Sequence, residues 1–196
     1  MKTRRGMTVL AASVLAVLVA LVTTAAPASA SYANIATDTP LRLINYNSLA
    51  CVQPVNGIGV ASWDNGAPIQ QETCGDNVPN YWTAHYIGEV STGYCSWWDI
   101  FCGDEFKVYQ FSSNYSVKCL DISGESTSLA AMQQTTCAAG NRSTYWMVWT
   151  GAHNGTVTVQ NFFSWLCLDV ASAAVHAQVQ QRSCTDNNPS QNFYYS

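Results

Sequence analysis

The sequence has few charged residues, and basic residues are especially scarce. Charged side chains make up 10% of its 196 residues, against about 25% in typical globular domains. Three of the eight Lys and Arg residues stand at the very start, as Lys2, Arg4 and Arg5. The other five are scattered and cannot neutralise a row of phosphates, so we expect no nucleic-acid partner. Aromatic residues make up 12% of the chain, which argues against disorder.

Long apolar runs are also absent, except for one near the N-terminus. That run, residues 7–22, follows the basic residues and precedes Ala28-Ser29-Ala30, a small-x-small cleavage pattern. We therefore predict a signal peptide over residues 1–30 and a secreted mature chain of 166 residues with no membrane span. Five basic and twelve acidic residues give this mature chain a net charge of −7. Its length suits one domain.

Close Cys-x-x-Cys pairs are missing as well, so the sequence offers no zinc site, and we expect neither a metal nor a cofactor. All eight cysteines follow the predicted signal peptide, and an even number in an exported chain favours disulfides. In order, the members of successive pairs are 23, 7, 18 and 17 residues apart. We predict four local disulfides in sequence order: Cys51–Cys74, Cys95–Cys102, Cys119–Cys137 and Cys167–Cys184.

A pattern of Cys, Gln-Gln, Cys and an aromatic residue occurs three times, and no helical periodicity of useful length accompanies it. The aromatic residue comes eight or nine positions after the second Cys, as Trp82, Trp146 and Phe193. Alternating, strand-like segments precede each first Cys, at 41–46, 106–111 and 156–162. One such unit cannot bury its apolar face, whereas three units that close around an axis share a core and hide their strand edges. We predict an all-β, three-lobed fold with the three aromatic residues in its core.

The predicted organisation is a signal peptide (1–30), an N-terminal extension (31–40) and a three-repeat domain (41–196). We name the repeats α (41–105), β (106–155) and γ (156–196). Repeat α contains an insertion, residues 83–105, whose tip holds Trp97, Trp98 and Phe101 between Cys95 and Cys102. This loop is interpreted either as a lid over one end of the barrel or as an exposed contact for a partner.

The repeated motif, Cys-Leu-Asp with a Gln-rich strand, a second Cys and a Gln-x-aromatic ending, resembles the ricin B-chain-type β-trefoil lectins over residues 41–196. The resemblance implies a disulfide-stapled β-trefoil in which each repeat can bind one sugar. In such a site an Asp and a Gln bond the sugar hydroxyls, and an aromatic residue two positions before the second Cys stacks on the ring.

Carried onto this chain, the resemblance implies sugar binding by repeat γ, through Asp169, Gln180 and Gln191, and by repeat β, through Asp121 and Gln133. The stacking position is degenerate, since it holds Glu72, Thr135 and Arg182 in repeats α, β and γ. Repeat α also has Gln53 in place of the Asp. We therefore expect γ to be the best site, β the second and α inactive, with stacking supplied from elsewhere, for example by Trp165 or His176.

Two functions remain in view. The first is a secreted, non-catalytic carbohydrate-binding protein whose partner is a glycan or polysaccharide. The second is a degenerate trefoil that acts as a protein-binding adaptor or accessory subunit of a secreted toxin, enzyme or cell-surface complex. No catalytic motif is present, so we expect no enzyme. The Asp residues also fit a role in capping turns, and the Gln residues a role in bonding backbone, without any ligand.

Overall fold

The computed structural model describes residues 31–55, 63–76, 78–91, 105–123, 126–127 and 129–196. The predicted signal peptide lies outside the described residues. So do the Cys95–Cys102 pair and the loop residues Trp97, Trp98 and Phe101. In the described part of the chain, no helix is long and apolar enough to cross a membrane.

The described residues form thirteen strands, distributed over the three repeats. Repeat α contributes β1 (Pro40–Leu41), β2 (Leu43–Asn45), β3 (Cys51–Pro54), β4 (Ile69–Glu72) and β5 (Trp82–Ser91). Repeat β contributes β6 (Glu105–Ser113), β7 (Lys118–Ile122), β8 (Ala130–Thr136) and β9 (Trp146–Thr150). Repeat γ contributes β10 (Val157–Asn161), β11 (Cys167–Val170), β12 (Val179–Arg182) and β13 (Phe193–Tyr195). A single 3₁₀ turn precedes the last strand of each repeat, at Val78–Asn80, Arg142–Thr144 and Pro189–Gln191.

The first and last strands of the repeats close into a barrel. β5 pairs with β6, β6 with β9, β9 with β10, β10 with β13, and β13 with β2. The ring is completed by β1, which is separated from β2 by Arg42 alone and pairs with β5. The hairpins β3–β4, β7–β8 and β11–β12 meet one another through short contacts between β4, β8 and β12. A closed barrel covered by three hairpins is a β-trefoil, so the predicted fold is confirmed.

The aromatic residues at the ends of the repeats lie in the core, as predicted. Trp82, Trp146 and Phe193 are fully buried in one cluster. The indole Nε1 of Trp82 donates to the carbonyl of Val52 at 2.8 Å, and that of Trp146 donates to the carbonyl of Leu120 at 3.1 Å. Each Trp therefore fastens the hairpin of its own repeat to the barrel.

The second Gln of each Gln-Gln pair is fully buried and links two repeats. The side-chain Oε1 of Gln71, Gln134 and Gln181 accepts a hydrogen bond from a serine of the same repeat, at 2.6–2.7 Å: Ser48, Ser116 and Ser164 respectively. The Nε2 groups donate to backbone carbonyls of another repeat: Ser172 in γ, Asp64 in α and Ser126 in β. Together these bonds tie all three hairpins to one another in a cycle.

Three of the four predicted disulfides lie within the described residues, and all three are present: Cys51–Cys74, Cys119–Cys137 and Cys167–Cys184. Each joins the two strands of one hairpin or the residues directly after them. The predicted insertion is strand where the structure describes it, because β5 continues to Ser91, opposite Glu105 in β6.

The N-terminal extension packs against the barrel. The backbone N–H of Ala33 donates to Val148 at 3.0 Å, and that of Thr150 donates to Ser31 at 2.7 Å. The Tyr32 ring stacks on Trp149 with 4.4 Å between ring centroids. Ala33 and Ile35 are buried in the main core. The extension therefore contributes to the fold.

Candidate functional site

The register of each hairpin determines which polar side chains lie together. In repeat β, Asp121 pairs with Gln133, and in repeat γ, Asp169 pairs with Gln180. In both repeats the glutamine Nε2 donates to the carboxylate, at 3.0 Å in β and 2.8 Å in γ. The structure thus brings together four of the five residues that the resemblance implies as sugar-binding.

The carboxylate of repeat γ is satisfied on both oxygens. Asp169 is 2% exposed. Its Oδ1 accepts from Gln180, and its Oδ2 accepts from the side-chain amide of Asn188 at 3.4 Å. Arg182, at the stacking position, lies opposite Cys167 and is exposed.

The carboxylate of repeat β is satisfied on one oxygen. Asp121 is 5% exposed, and its Oδ2 accepts from Gln133. Its Oδ1 is buried and has no hydrogen-bond partner among the residues that the structure describes. Thr135, at the stacking position, lies opposite Cys119 and is half-buried. This repeat therefore retains one carboxylate acceptor that the rest of the described protein does not use.

Gln191, the fifth implied residue, lies apart from these pairs. It is 1% exposed. Its Nε2 donates to the carbonyl of Ser183 at 2.9 Å, and its Oε1 accepts from the backbone N–H of Thr185 at 2.9 Å. Both ends of the amide thus hold the loop that follows Cys184, which is the backbone-bonding role that the sequence left open for glutamines.

Repeat α has no carboxylate at the Asp position. Gln53 lies opposite Gln70 and accepts a hydrogen bond from Asn80. Glu72 accepts a hydrogen bond from Gln70 and contacts Nδ1 of His176, which comes from repeat γ. These polar groups therefore bond to one another.

Trp165 and His176 are the side chains that we expect to replace the missing stacking residues. Trp165 is 42% exposed, and it packs edge-on against Phe106 with ring centroids 5.5 Å apart. His176 is exposed and contacts Glu72 of repeat α. Neither makes a described contact with an Asp–Gln pair.

Sequence reasoning missed Asn188, because it is not one of the positions that the resemblance implies as sugar-binding. The Asn188 side chain reaches Asp169, and its Oδ1 accepts from the backbone N–H of Ser190 at 3.1 Å, which caps the last 3₁₀ turn. A signal was present in the sequence: Asn followed by Pro is typical of a residue that begins a turn. Among the described residues, no group of three or more His, Cys, Asp or Glu is arranged to hold a metal ion.

Comparison with protein families and solved structures places the fold among known ones. Residues 107–196 match the family model of the ricin-type beta-trefoil lectin domain. The designed threefold-symmetric protein ThreeFoil superposes with a TM-score of 0.61 at 21% identity, over 80% of this chain and 96% of its own. The Macrolepiota procera ricin B-like lectin, solved in complex with lactose, superposes with a TM-score of 0.61 at 12% identity, over 84% of this chain and 99% of its own.

The Haemophilus ducreyi cytolethal distending toxin superposes with a TM-score of 0.53 at 11% identity, over 83% of this chain and 87% of the toxin chain. At these identities the structural likeness describes the fold alone. No curated protein sequence matches the chain.

Proposed function

Because residues 107–196 belong to the ricin-type beta-trefoil lectin domain family, we propose that the protein is an exported, non-catalytic carbohydrate-binding protein. Three local disulfides support export, since such bonds form and persist in oxidising compartments. The binding groups are the Asp–Gln pairs of the β7–β8 and β11–β12 hairpins, with the pair of repeat β as the principal site.

The unpartnered Oδ1 atom of Asp121 carries this proposal. A buried polar atom left without a partner costs about 1–3 kcal/mol. Because this oxygen is buried, the groups that cover it have to move aside before a sugar hydroxyl donates to it; the charge-assisted bond then recovers that energy. Gln133 already holds the other oxygen, so the carboxylate is oriented before a ligand arrives.

Repeat γ is the weaker site in this proposal, which reverses the order expected from the motif. Both oxygens of Asp169 already accept hydrogen bonds, from Gln180 and Asn188. A sugar hydroxyl therefore has to share the acceptor capacity of this carboxylate with Gln180 and Asn188, whereas one oxygen of Asp121 accepts no bond from the described residues.

We expect weak affinity, because Thr135 stands where an aromatic ring would cover the C–H face of a sugar. Without stacking, a site with few hydrogen bonds falls in the millimolar range, or about −4 kcal/mol. Lactose is a suitable first probe, since a lectin of the same fold was solved with it.

The test is a titration of the exported protein with lactose, followed by ¹H–¹⁵N NMR. We expect Asp121→Asn to weaken binding about tenfold or more, because it removes the charge from the accepting group while retaining its shape. Asp64→Asn is the matched control: Asp64 is an exposed carboxylate in the preceding repeat, and its substitution makes the same change in net charge.

Two results would contradict the proposal. One is the absence of any saturable shift with lactose, N-acetylgalactosamine or a soluble polysaccharide at tens of millimolar sugar. The other is binding that Asp121→Asn and Asp169→Asn both leave unchanged, since it would take place away from the hairpins.

A second candidate function is that of a protein-binding adaptor. The long strand β5 exposes Tyr86 and Ile87, which are 47% and 40% accessible, on the strand that leads to the predicted Trp97–Trp98 loop. The same fold occurs in a cytolethal distending toxin. Co-purification of another exported protein, abolished by Tyr86→Ser and combined with no sugar binding, would favour the adaptor over the lectin.

A further inference from the structure

A cleft of about 520 Å³ is lined by Gln191, Cys167 and Cys184 of the repeated motif but by neither Asp–Gln pair of the hairpins. It lies between the β9–β10 hairpin and the loop that follows the Cys167–Cys184 disulfide. Neither Asp121 nor Asp169 lines it. Its volume falls within the range of sites for small molecules, which is about 300–1,000 Å³.

One wall of the cleft is a rigid aromatic and amide surface. Trp149 and Thr158 are direct partners in the β9–β10 ladder, so their side chains project from the same face of the sheet. The indole Nε1 of Trp149 donates to Oε1 of Gln160 at 2.9 Å, and the Gln160 amide donates to the carbonyl of Trp165 at 2.9 Å. Tyr32 stacks on the indole from the N-terminal extension. The Trp149 ring is therefore held in place before any ligand arrives.

The cleft is also lined by the loop that carries Asp186 and Asn187. Gln191 anchors this loop by accepting from the Thr185 N–H, and the disulfide fixes its beginning at Cys184. Among the described residues, none hydrogen-bonds to the side chains of Asp186, Asn187 or Thr158, although all three line the cleft. The cleft thus combines an indole with a carboxylate, a primary amide and a hydroxyl that are free to bind.

We propose that this cleft is a second saccharide site, distinct from the hairpin sites. Trp149 contacts the C–H face of a pyranose ring, and Asp186 accepts hydrogen bonds from two of its hydroxyls. Asn187 and Thr158 supply further donors and acceptors. Among the described residues, no lysine or arginine lines the cleft, so a phosphorylated or sulfated ligand finds no cation there to pair with, and the preferred ligand is a neutral saccharide.

The cleft contains an aromatic ring that can stack on a sugar, which the hairpin sites lack. Thr135 and Arg182 occupy the stacking positions of repeats β and γ, whereas the cleft has an ordered indole. An aromatic ring that does not have to be ordered on binding costs little entropy, which favours affinity. The inference shares its ligand class with the proposed function but depends on different residues.

Repeat α offers a matched control for the key carboxylate. Asp186 stands two residues after Cys184, and Asp76 stands two residues after Cys74. Both side chains are exposed, but Asp76 lies outside the cleft. Comparing Asp186→Ala with Asp76→Ala therefore separates the loss of a contact in the cleft from the general effect of removing one negative charge.

The experiment is a titration of the exported protein with lactose, N-acetylgalactosamine, glucose and cellobiose, followed by ¹H–¹⁵N NMR. The reporter is the indole N–H signal of Trp149, assigned as the one missing from Trp149→Phe. We expect saturable movement of this signal with at least one sugar, weakened about tenfold or more by Asp186→Ala and unchanged by Asp76→Ala. Asp186 is exposed and unbonded, so its substitution leaves the melting temperature unchanged.

The outcomes separate this inference from the proposed function. Binding that is lost in Asp186→Ala and kept in both Asp121→Asn and Asp169→Asn supports the cleft and overturns the hairpin sites. Binding that is lost in Asp121→Asn alone, with a stationary Trp149 signal, overturns the cleft and supports the hairpin site. Sensitivity to both substitutions supports two sites, and the absence of any response to all four sugars overturns both.

Discussion

Gln133 and Gln134 are neighbours in β8, yet they do different things. Gln133 is half-buried and donates to Asp121, whereas Gln134 is fully buried and accepts from Ser116. Successive residues of a strand face opposite sides, so in repeats β and γ one Gln of the pair lies beside the Asp carboxylate and the other enters the core. The first Gln of the dipeptide is therefore a candidate for binding a ligand, and the second has a structural role.

Single residues also show where the motif misleads. Gln191 matches the lectin pattern, but its two amide atoms bond the backbone at Ser183 and Thr185. Asn188 does not match the pattern, but its side chain reaches Asp169. Asn188 is the N-cap of the 3₁₀ turn over Pro189–Gln191, whereas Gln191 is the last residue of that turn.

Tyr109 in β6 makes the free energy of unfolding depend on pH in the alkaline range. Burial raises the pKa of its phenol above the ordinary value of 10.0, and the nearby Tyr86 adds to this effect. The native state therefore retains the proton at a pH where the unfolded chain releases it. This contribution to stability is fully present below pH 10 and is lost as pH rises towards the folded pKa.

We expect Tyr109→Phe to make the unfolding free energy decline less steeply between about pH 10 and 11 than in the unsubstituted protein. Urea unfolding at a series of pH values measures this slope. Tyr195→Phe, at an exposed position in β13, is the control. Equal slopes for Tyr109→Phe and the unsubstituted protein would show that Tyr109 has no such role.

At the scale of the element, each β-hairpin is held to its neighbour by one glutamine side chain. In repeat α, Gln71 accepts from Ser48 at 2.6 Å and donates to the carbonyls of Ser172 and Ala174. Its backbone also bonds to Ala177 and His176. The β3–β4 hairpin thus depends on repeat γ for its position.

We expect Gln71→Leu to lower the free energy of unfolding by about 2–4 kcal/mol, because it leaves buried partners in both repeats without their hydrogen bonds. The neighbouring substitution Gln70→Leu is the control, since Gln70 is half-buried and, among the described residues, its side chain bonds to Glu72 alone. Its expected effect is below about 1 kcal/mol. Chemical denaturation measures both, and equal losses would contradict the assignment of the link to Gln71.

At the scale of the whole molecule, closure of the barrel brings strands from the first and last repeats into contact. β2 pairs with β13 near the C-terminus, and the N-terminal extension bonds to β9 in repeat β. A closed barrel leaves no exposed strand edge, which removes a route to aggregation. No single repeat has this property, so the three repeats are expected to unfold together.

The disulfides stabilise the molecule through short loops. The Cys167–Cys184 and Cys119–Cys137 bonds close loops with sequence separations of 17 and 18 residues. We expect the double substitution of either pair by Ala to reduce the free energy of unfolding by about 3 kcal/mol, since loops of similar length restrict the unfolded chain similarly. Urea unfolding of the two double variants measures these losses. A large difference between the two losses would show that contacts in the native state, and not loop length, determine the stabilisation.

Much of the architecture can be predicted from the sequence because it depends on local patterns that occur three times. Alternating segments predict strands, regular cysteine spacing predicts local disulfides, and a repeated aromatic position predicts the shared core around Trp82, Trp146 and Phe193. Strand bounds differ by a few residues: the segment 41–46, for example, forms two short strands separated by Arg42. The Asp–Gln pairs are also predictable, since their register follows from each hairpin.

The state of the candidate sites, in contrast, depends on contacts between distant parts of the chain. Asp121 and Asp169 occupy the same motif position, but Asn188 bonds to Asp169, whereas one oxygen of Asp121 has no hydrogen-bond partner in the described part of the chain. Trp149 and Asp186 come from different repeats and share no motif, and only barrel closure places both at one cleft. The alternation of residues along a strand predicts which face of the sheet each side chain occupies. It does not predict which side chains from distant segments lie beside that face, and a binding site depends on those contacts.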